Sequence, residues 1–154
     1  ATWDEIDLDA ALWTIPAERM KGGKEHRVPL SGRALEILRV MKARAINGLV
    51  FPGRGGDRML SDMTLAKTLK SAGAGAYTVH GFRSTFRDWV ADETTFQREV
   101  AEAALAHAVG DAVERAYRRG DALAKRRKLM EAWASYCATV KGGNVLPMNR
   151  RAAE

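Results

Sequence analysis

The sequence has a single cysteine, Cys137, so an internal disulfide is excluded. Only three histidines accompany it, which excludes a Cys/His zinc site. No apolar run approaches the roughly 18–20 residues needed to span a bilayer, so an integral membrane protein is excluded as well. The opening ATWDEIDLD is acidic and has no signal-peptide apolar region, so secretion is not indicated. Disorder is excluded by the 46% hydrophobic content. These absences leave one domain of 154 residues, long enough to bury an ordinary core and expected to be soluble and intracellular.

Positive charge is what the chain has in excess. Lys and Arg number 25 against 19 Asp and Glu, a net charge of +6 that makes nucleic acid a candidate partner. The excess is not a tail: residues 1–77 carry 12 basic and 9 acidic groups, residues 78–154 carry 13 and 10. It is locally dense only between Arg115 and Lys128, where seven basic residues face one acid, Asp121. Such a run is either a solvated helix face or a phosphate-binding surface.

The first thirty residues read as strands. Ile6 and Leu8, then Trp13 and Ile15, then His26, Val28 and Leu30 alternate with polar residues or Pro29. The Gly22-Gly23 pair fits a two-residue hairpin turn with Lys21 and Lys24 flanking its tip. Pro29, lacking an N–H, belongs at an edge or a strand end. Beyond Ser31 the chain is mainly helical. Helices are expected from a Ser31 cap to about 44, from a Ser61 cap to about 71, and over 80–91, 97–107, 111–118 and 121–140. The glycines of GLVFPGRGGDR lack the spacing and the Lys-Ser/Thr of a P-loop. The predicted class is α+β: a mainly helical domain with a small N-terminal antiparallel β-sheet.

Three helical stretches carry candidate chemistry. From residue 80, Phe82, Phe86, Trp89 and Val90 form a core stripe, with His80, Arg83 and Arg87 in a second stripe beside it. An imidazole and a guanidinium one turn apart near a helix N-terminus suit an anion, although a capped helix with surface arginines has the same pattern. His107 continues the apolar stripe of Val100, Ala103 and Ala104, as a core histidine would. Tyr117 follows with Arg115, Arg118 and Arg119 around it; a phenol is a weak nucleophile unless a base or cations assist it. In the last helix Leu129, Trp133, Tyr136 and Val140 share a face expected to be core, opposite Lys125, Arg126 and Lys128.

In order along the chain, these pieces resemble the catalytic domain of tyrosine recombinases, and within it the integrases of prophages and genomic islands. The stretches IPAERMKGGKEHRVPLS, TVHGFRSTFRDW and LAHAVGDAVERAYRRGD carry the resemblance, which covers roughly residues 1–136. It implies a catalytic set: Tyr117 as nucleophile, Arg83 as the second of two arginines, His80 as the histidine of His-x-x-Arg, His107 as the last histidine before the tyrosine, and Lys21 as the hairpin lysine. Lys24 lies past the turn and is the weaker match.

The first arginine of the family precedes a Trp-containing strand like TWDEIDL and is expected just upstream of Ala1. Residues 1–142 are accordingly expected to be part of an integrase catalytic domain, with 143–154 a flexible tail and the family's N-terminal DNA-binding domains lying outside this sequence. The chemistry implied is phosphoryl transfer through a 3′-phosphotyrosine, with no metal or other cofactor. The implied partners are double-stranded DNA attachment sites and, for the whole protein, a homotetramer on DNA, without membrane; the implied location is the bacterial cytoplasm at the nucleoid. With one arginine missing, the fragment alone is expected to be inactive. A non-catalytic DNA-binding module and an oligomerisation module are the competing readings.

Overall fold

The computed structural model describes residues 1–107 and 121–139. Tyr117, the helix expected over 111–118 and the tail 143–154 lie outside the described residues.

Three short strands, β1 (Ile6–Asp7), β2 (Leu12–Ile15) and β3 (His26–Pro29), form an antiparallel sheet in that order. The register pairs Ile6 with Trp13, and Trp13 with Val28. The β1–β2 turn is closed by the Asp7 carboxylate, whose Oδ1 accepts from the backbone N–H of Asp9 at 3.0 Å and of Ala10 at 2.7 Å. Pro29 ends the outer strand, where its missing N–H leaves no ladder bond unmade. The β2–β3 connection is longer than the two-residue turn expected from Gly22-Gly23. A 3₁₀ turn over Ala17–Arg19 comes first, and the β-turn that follows is closed by Gly23 N–H donating to Met20 C=O at 2.9 Å. Lys21 and Gly22 are the central residues of that turn, and Gly23 takes the positive φ of 60°.

Five helices follow among the described residues: α1 (Gly32–Lys42), α2 (Thr64–Ser71), α3 (Gly81–Glu93), α4 (Arg98–Ala104) and α5 (Leu123–Ala138). The architecture is the expected α+β one, a small sheet against a helical body. Ser31 caps α1, its side chain accepting from Ala34 N–H at 3.3 Å. Ser61 does not cap α2; its hydroxyl pairs with that of Thr64 at 2.9 Å. The Gly-rich loop is a tight reversal, in which a Cβ on Gly53 would meet the Met59 carbonyl at 2.9 Å. No helix among the described residues is long and apolar enough to cross a membrane.

The core lies between α3, α4 and α5. Phe86, Trp89 and Val90 pack with Val100 and Ala101 and with Leu129, which is fully buried. Trp133 stands edge-on to Phe86 at 5.4 Å between ring centroids and lies 5.0 Å from Trp89. Leu129, Trp133 and Tyr136 of the α5 stripe are therefore core, as their spacing implies, and Val140 lies outside the described residues. Phe82, expected in the same stripe as Phe86, is exposed at the first turn of α3, where the core has already ended.

The basic face expected on α5 is corrected by the fold. Arg126 is 1% exposed. Its guanidinium donates to the backbone C=O of Arg27 on the edge strand β3 and, at 3.3 Å, to that of Asp121. Arg127 donates to the carbonyls of Ala11 at 3.2 Å and Ala10 at 3.0 Å, at the tip of the β1–β2 hairpin. Asp121 completes the join, its carboxylate taking both donors of Arg27 at 2.9 Å. Two arginines of the basic run are thus clamps between α5 and the sheet rather than a solvated face.

Candidate active site

Two helix ends build the site. Thr78 organises the first: its hydroxyl accepts from Gly81 N–H at 3.0 Å and sets the start of α3. His80 stands at the N-cap and Arg83 one turn on, both exposed. The second is the C-terminus of α4, which stops at Ala106 with φ of 55°. There Ala106 N–H donates to Ala103 C=O at 3.2 Å and His107 N–H to Glu102 C=O at 2.9 Å. This is the paired bonding of a Schellman motif, and it folds the chain back so that residues 102 and 107 lie side by side. His107 is therefore not a core histidine on the α4 stripe; it sits just past the helix and is exposed.

Across the gap, Arg83 Nη2 donates to the Leu105 carbonyl at 2.8 Å and approaches His107 Nε2 at 2.6 Å. The other ring nitrogen of His107 lies 2.5 Å from Glu102 Oε2. Arg87 Nε donates to Glu102 Oε1 at 2.7 Å, and Arg98 Nε lies 3.7 Å from the same oxygen. The His107 hydrogen bond, with Arg87 adding to it against partial burial, holds the Glu102 carboxyl below its usual range. Glu102 is one acid among three arginines, Arg83, Arg87 and Arg98, so these four side chains together carry net positive charge.

Sheet and site meet at His26, the first residue of β3. Partial burial and the charges of Arg126 and Arg83 press its imidazole below the usual value, and the Ala104 backbone and Asp121 work the other way. Of the sequence-predicted residues, Arg83 and His107 are brought into contact. His80 shares the exposed end of α3 with Arg83, and Lys21 is exposed on the β2–β3 turn; neither makes a hydrogen bond or ion pair to Arg83 or His107. Tyr117 lies outside the described residues. Sequence reasoning missed Glu102 and His26. The signal for Glu102 was its spacing of five before a histidine that ends a helix.

The model of the phage integrase family matches residues 1–123. The chain belongs to that family. The integrase sequence is 41% identical over 151 residues to the prophage integrase IntA of Escherichia coli, covering 95% of this chain and 36% of that protein. It is 34% identical over 148 residues to the prophage integrase IntZ of the same organism, covering 95% and 37%. The chain thus spans little more than a third of the length of these relatives. No solved structure matches it.

Proposed function

We propose that residues 1–142 of this integrase form most of a tyrosine-recombinase catalytic centre, which cuts and rejoins DNA at attachment sites through a 3′-phosphotyrosine. The observation that carries the reading is the meeting of Arg83 and His107, 24 residues apart in sequence, at 2.6 Å on a surface facing solvent. A guanidinium held in place by an imidazole offers its remaining N–H donors to the non-bridging oxygens of one phosphate.

Tyr117 Oη attacks phosphorus and gives its proton up with the help of His80. The P–O5′ bond breaks, and the leaving 5′-oxygen takes a proton from Lys21. Arg83, steadied by His107 Nε2, holds the charge that develops on the non-bridging oxygens. Because the phosphodiester energy is kept in the tyrosyl link, a 5′-hydroxyl from another strand reverses the step without ATP. The resemblance assigns one of the family's two arginines, Arg83, within these 154 residues, so this chain by itself binds DNA weakly and cleaves it little. In the whole integrase four subunits work on two duplexes.

The test is adduct trapping in the intact integrase that carries this sequence. Tyr117→Phe removes only the attacking oxygen and is expected to abolish the covalent adduct with DNA affinity unchanged. An adduct from that variant assigns the nucleophile elsewhere. Arg83→Ala is expected to lower adduct formation by at least about 100-fold, the range for losing one preorganised charge-stabilising donor.

A further inference from the structure

Glu102 is the acid on which this surface turns. Arginine has no acceptor, so where Arg83 Nη2 meets His107 Nε2 at 2.6 Å the guanidinium donates and the ring nitrogen accepts. The hydrogen of a neutral imidazole then sits on Nδ1, which faces Glu102 Oε2 at 2.5 Å. The carboxylate is itself held: Arg87 Nε occupies Oε1 from α3, Arg98 approaches that oxygen from α4, and the Schellman turn fixes the backbone of 102 against that of 107. Among the described residues, the charged and titratable groups around the pair are Arg83 and Arg87 from α3, Arg98 from α4, and His26 from β3, which bears on Arg83.

We propose that Glu102 is a positioning residue of the phosphate site: it selects the Nδ1–H tautomer of His107, so that Nε2 accepts from Arg83 and holds that guanidinium where its other N–H groups meet the DNA phosphate. This deepens the proposed function and rests on it. Glu102 touches no substrate; it acts through the ring, as the carboxylate partner of a working histidine does.

The arrangement makes a sharp prediction for Glu102→Gln, a change that preserves volume. Arg87 and Arg98 can only donate, so they draw the new amide oxygen to themselves and turn its NH₂ toward Nδ1. Nδ1 must then accept, the hydrogen moves to Nε2, and two donors face each other where Arg83 met the ring.

Imidazole ¹⁵N shifts of the 154-residue chain, with His107 assigned by its loss in His107→Ala, read this directly. The expected result is Nδ1–H in the wild type and Nε2–H in Glu102→Gln, with the fold unchanged by backbone shifts. In the intact integrase, Glu102→Gln is expected to slow adduct formation by about 10–100-fold with DNA affinity within about twofold. An Nε2–H tautomer in the wild type overturns the proposal, as does Nδ1–H retained in Glu102→Gln. If His107→Ala blocks the adduct while Glu102→Gln forms it at the wild-type rate, the role of Glu102 falls and the active-site reading stands. If His107→Ala itself forms the adduct normally, both fall.

Discussion

Glu5 illustrates how much one partly hidden carboxylate can tie together. Burial alone would raise its pKa, but the Trp13 indole N–H at 3.0 Å, the Arg19 guanidinium and the Thr2 backbone N–H hold it down at about 2. The folded carboxylate binds its proton far less readily than the ordinary 4.5 of the unfolded chain. Its contribution is therefore complete above about pH 4.5 and is lost as the pH falls toward 2, where the unfolded state takes up the proton first. Urea unfolding of the 154-residue chain at a series of pH values is expected to show the midpoint falling through that window. Glu5→Gln is expected to start lower at neutral pH and to fall less across it. Equal slopes for the two proteins would show that Glu5 is not the group responsible. At the same scale, Ala106 holds a left-handed conformation that costs an L-residue roughly 1–2 kcal/mol. The return is the approach of residues 102 and 107. The sequence shows His107 plainly, but it shows the reversal that turns the ring away from the core only through a short helix ending without a glycine.

The helices were legible where their determinants are local. Ser31 caps α1 because its hydroxyl finds an N–H three residues on, and the α5 stripe repeats every turn whatever it packs against. Arg126 was not legible. Its place on the helix wheel beside Lys125 and Lys128 reads as solvent, yet its partner is the Arg27 carbonyl, 99 residues away on the edge of the sheet. Nothing in the local pattern marks which arginine of a basic run will meet an unpaired strand edge, and the β2–β3 connection escaped for a related reason: the glycine pair was visible, the 3₁₀ turn before it was not. The clamp also covers an edge that would otherwise offer free carbonyls to another chain. Arg126→Met keeps the apolar stem and removes the donors from the Arg27 and Asp121 carbonyls. A loss of about 2–4 kcal/mol in unfolding free energy is expected, because buried acceptors are left unsatisfied. Arg126→Lys is expected to recover only part of it, since a single ammonium cannot span both carbonyls. A change below about 0.5 kcal/mol in Arg126→Met, the range of neutral surface substitutions, would mean that the clamp adds nothing to stability.

Seen whole, the molecule divides its apolar surface unevenly. The α3–α4–α5 core is closed, and α5 lies against the outer strand of the sheet. Among the described residues, the exposed large apolar side chains lie between residues 37 and 82, including Ile46 at 81%, Met59 at 78% and Tyr77 at 68%. Helix α2 buries no residue, and Met63 and Leu65 stand exposed at its start. Large apolar side chains as exposed as these favour contact with another apolar surface. Full burial of each methionine is worth about 1.5–3 kcal/mol, and about 1.4 kcal/mol is tenfold in an association constant. Sedimentation of the 154-residue chain is therefore expected to show self-association that grows with concentration. The paired change Met59→Ser with Met63→Ser is expected to weaken it by about tenfold or more, while leaving the Arg83–His107 contact, on other elements, unchanged by NMR. High salt should weaken DNA binding by the same chain but strengthen this association, since phosphate contacts are lost with counterion competition and apolar contacts are not. A strict monomer at every concentration, or association that falls with salt, would show that the surface between 37 and 82 does not draw copies of the chain together.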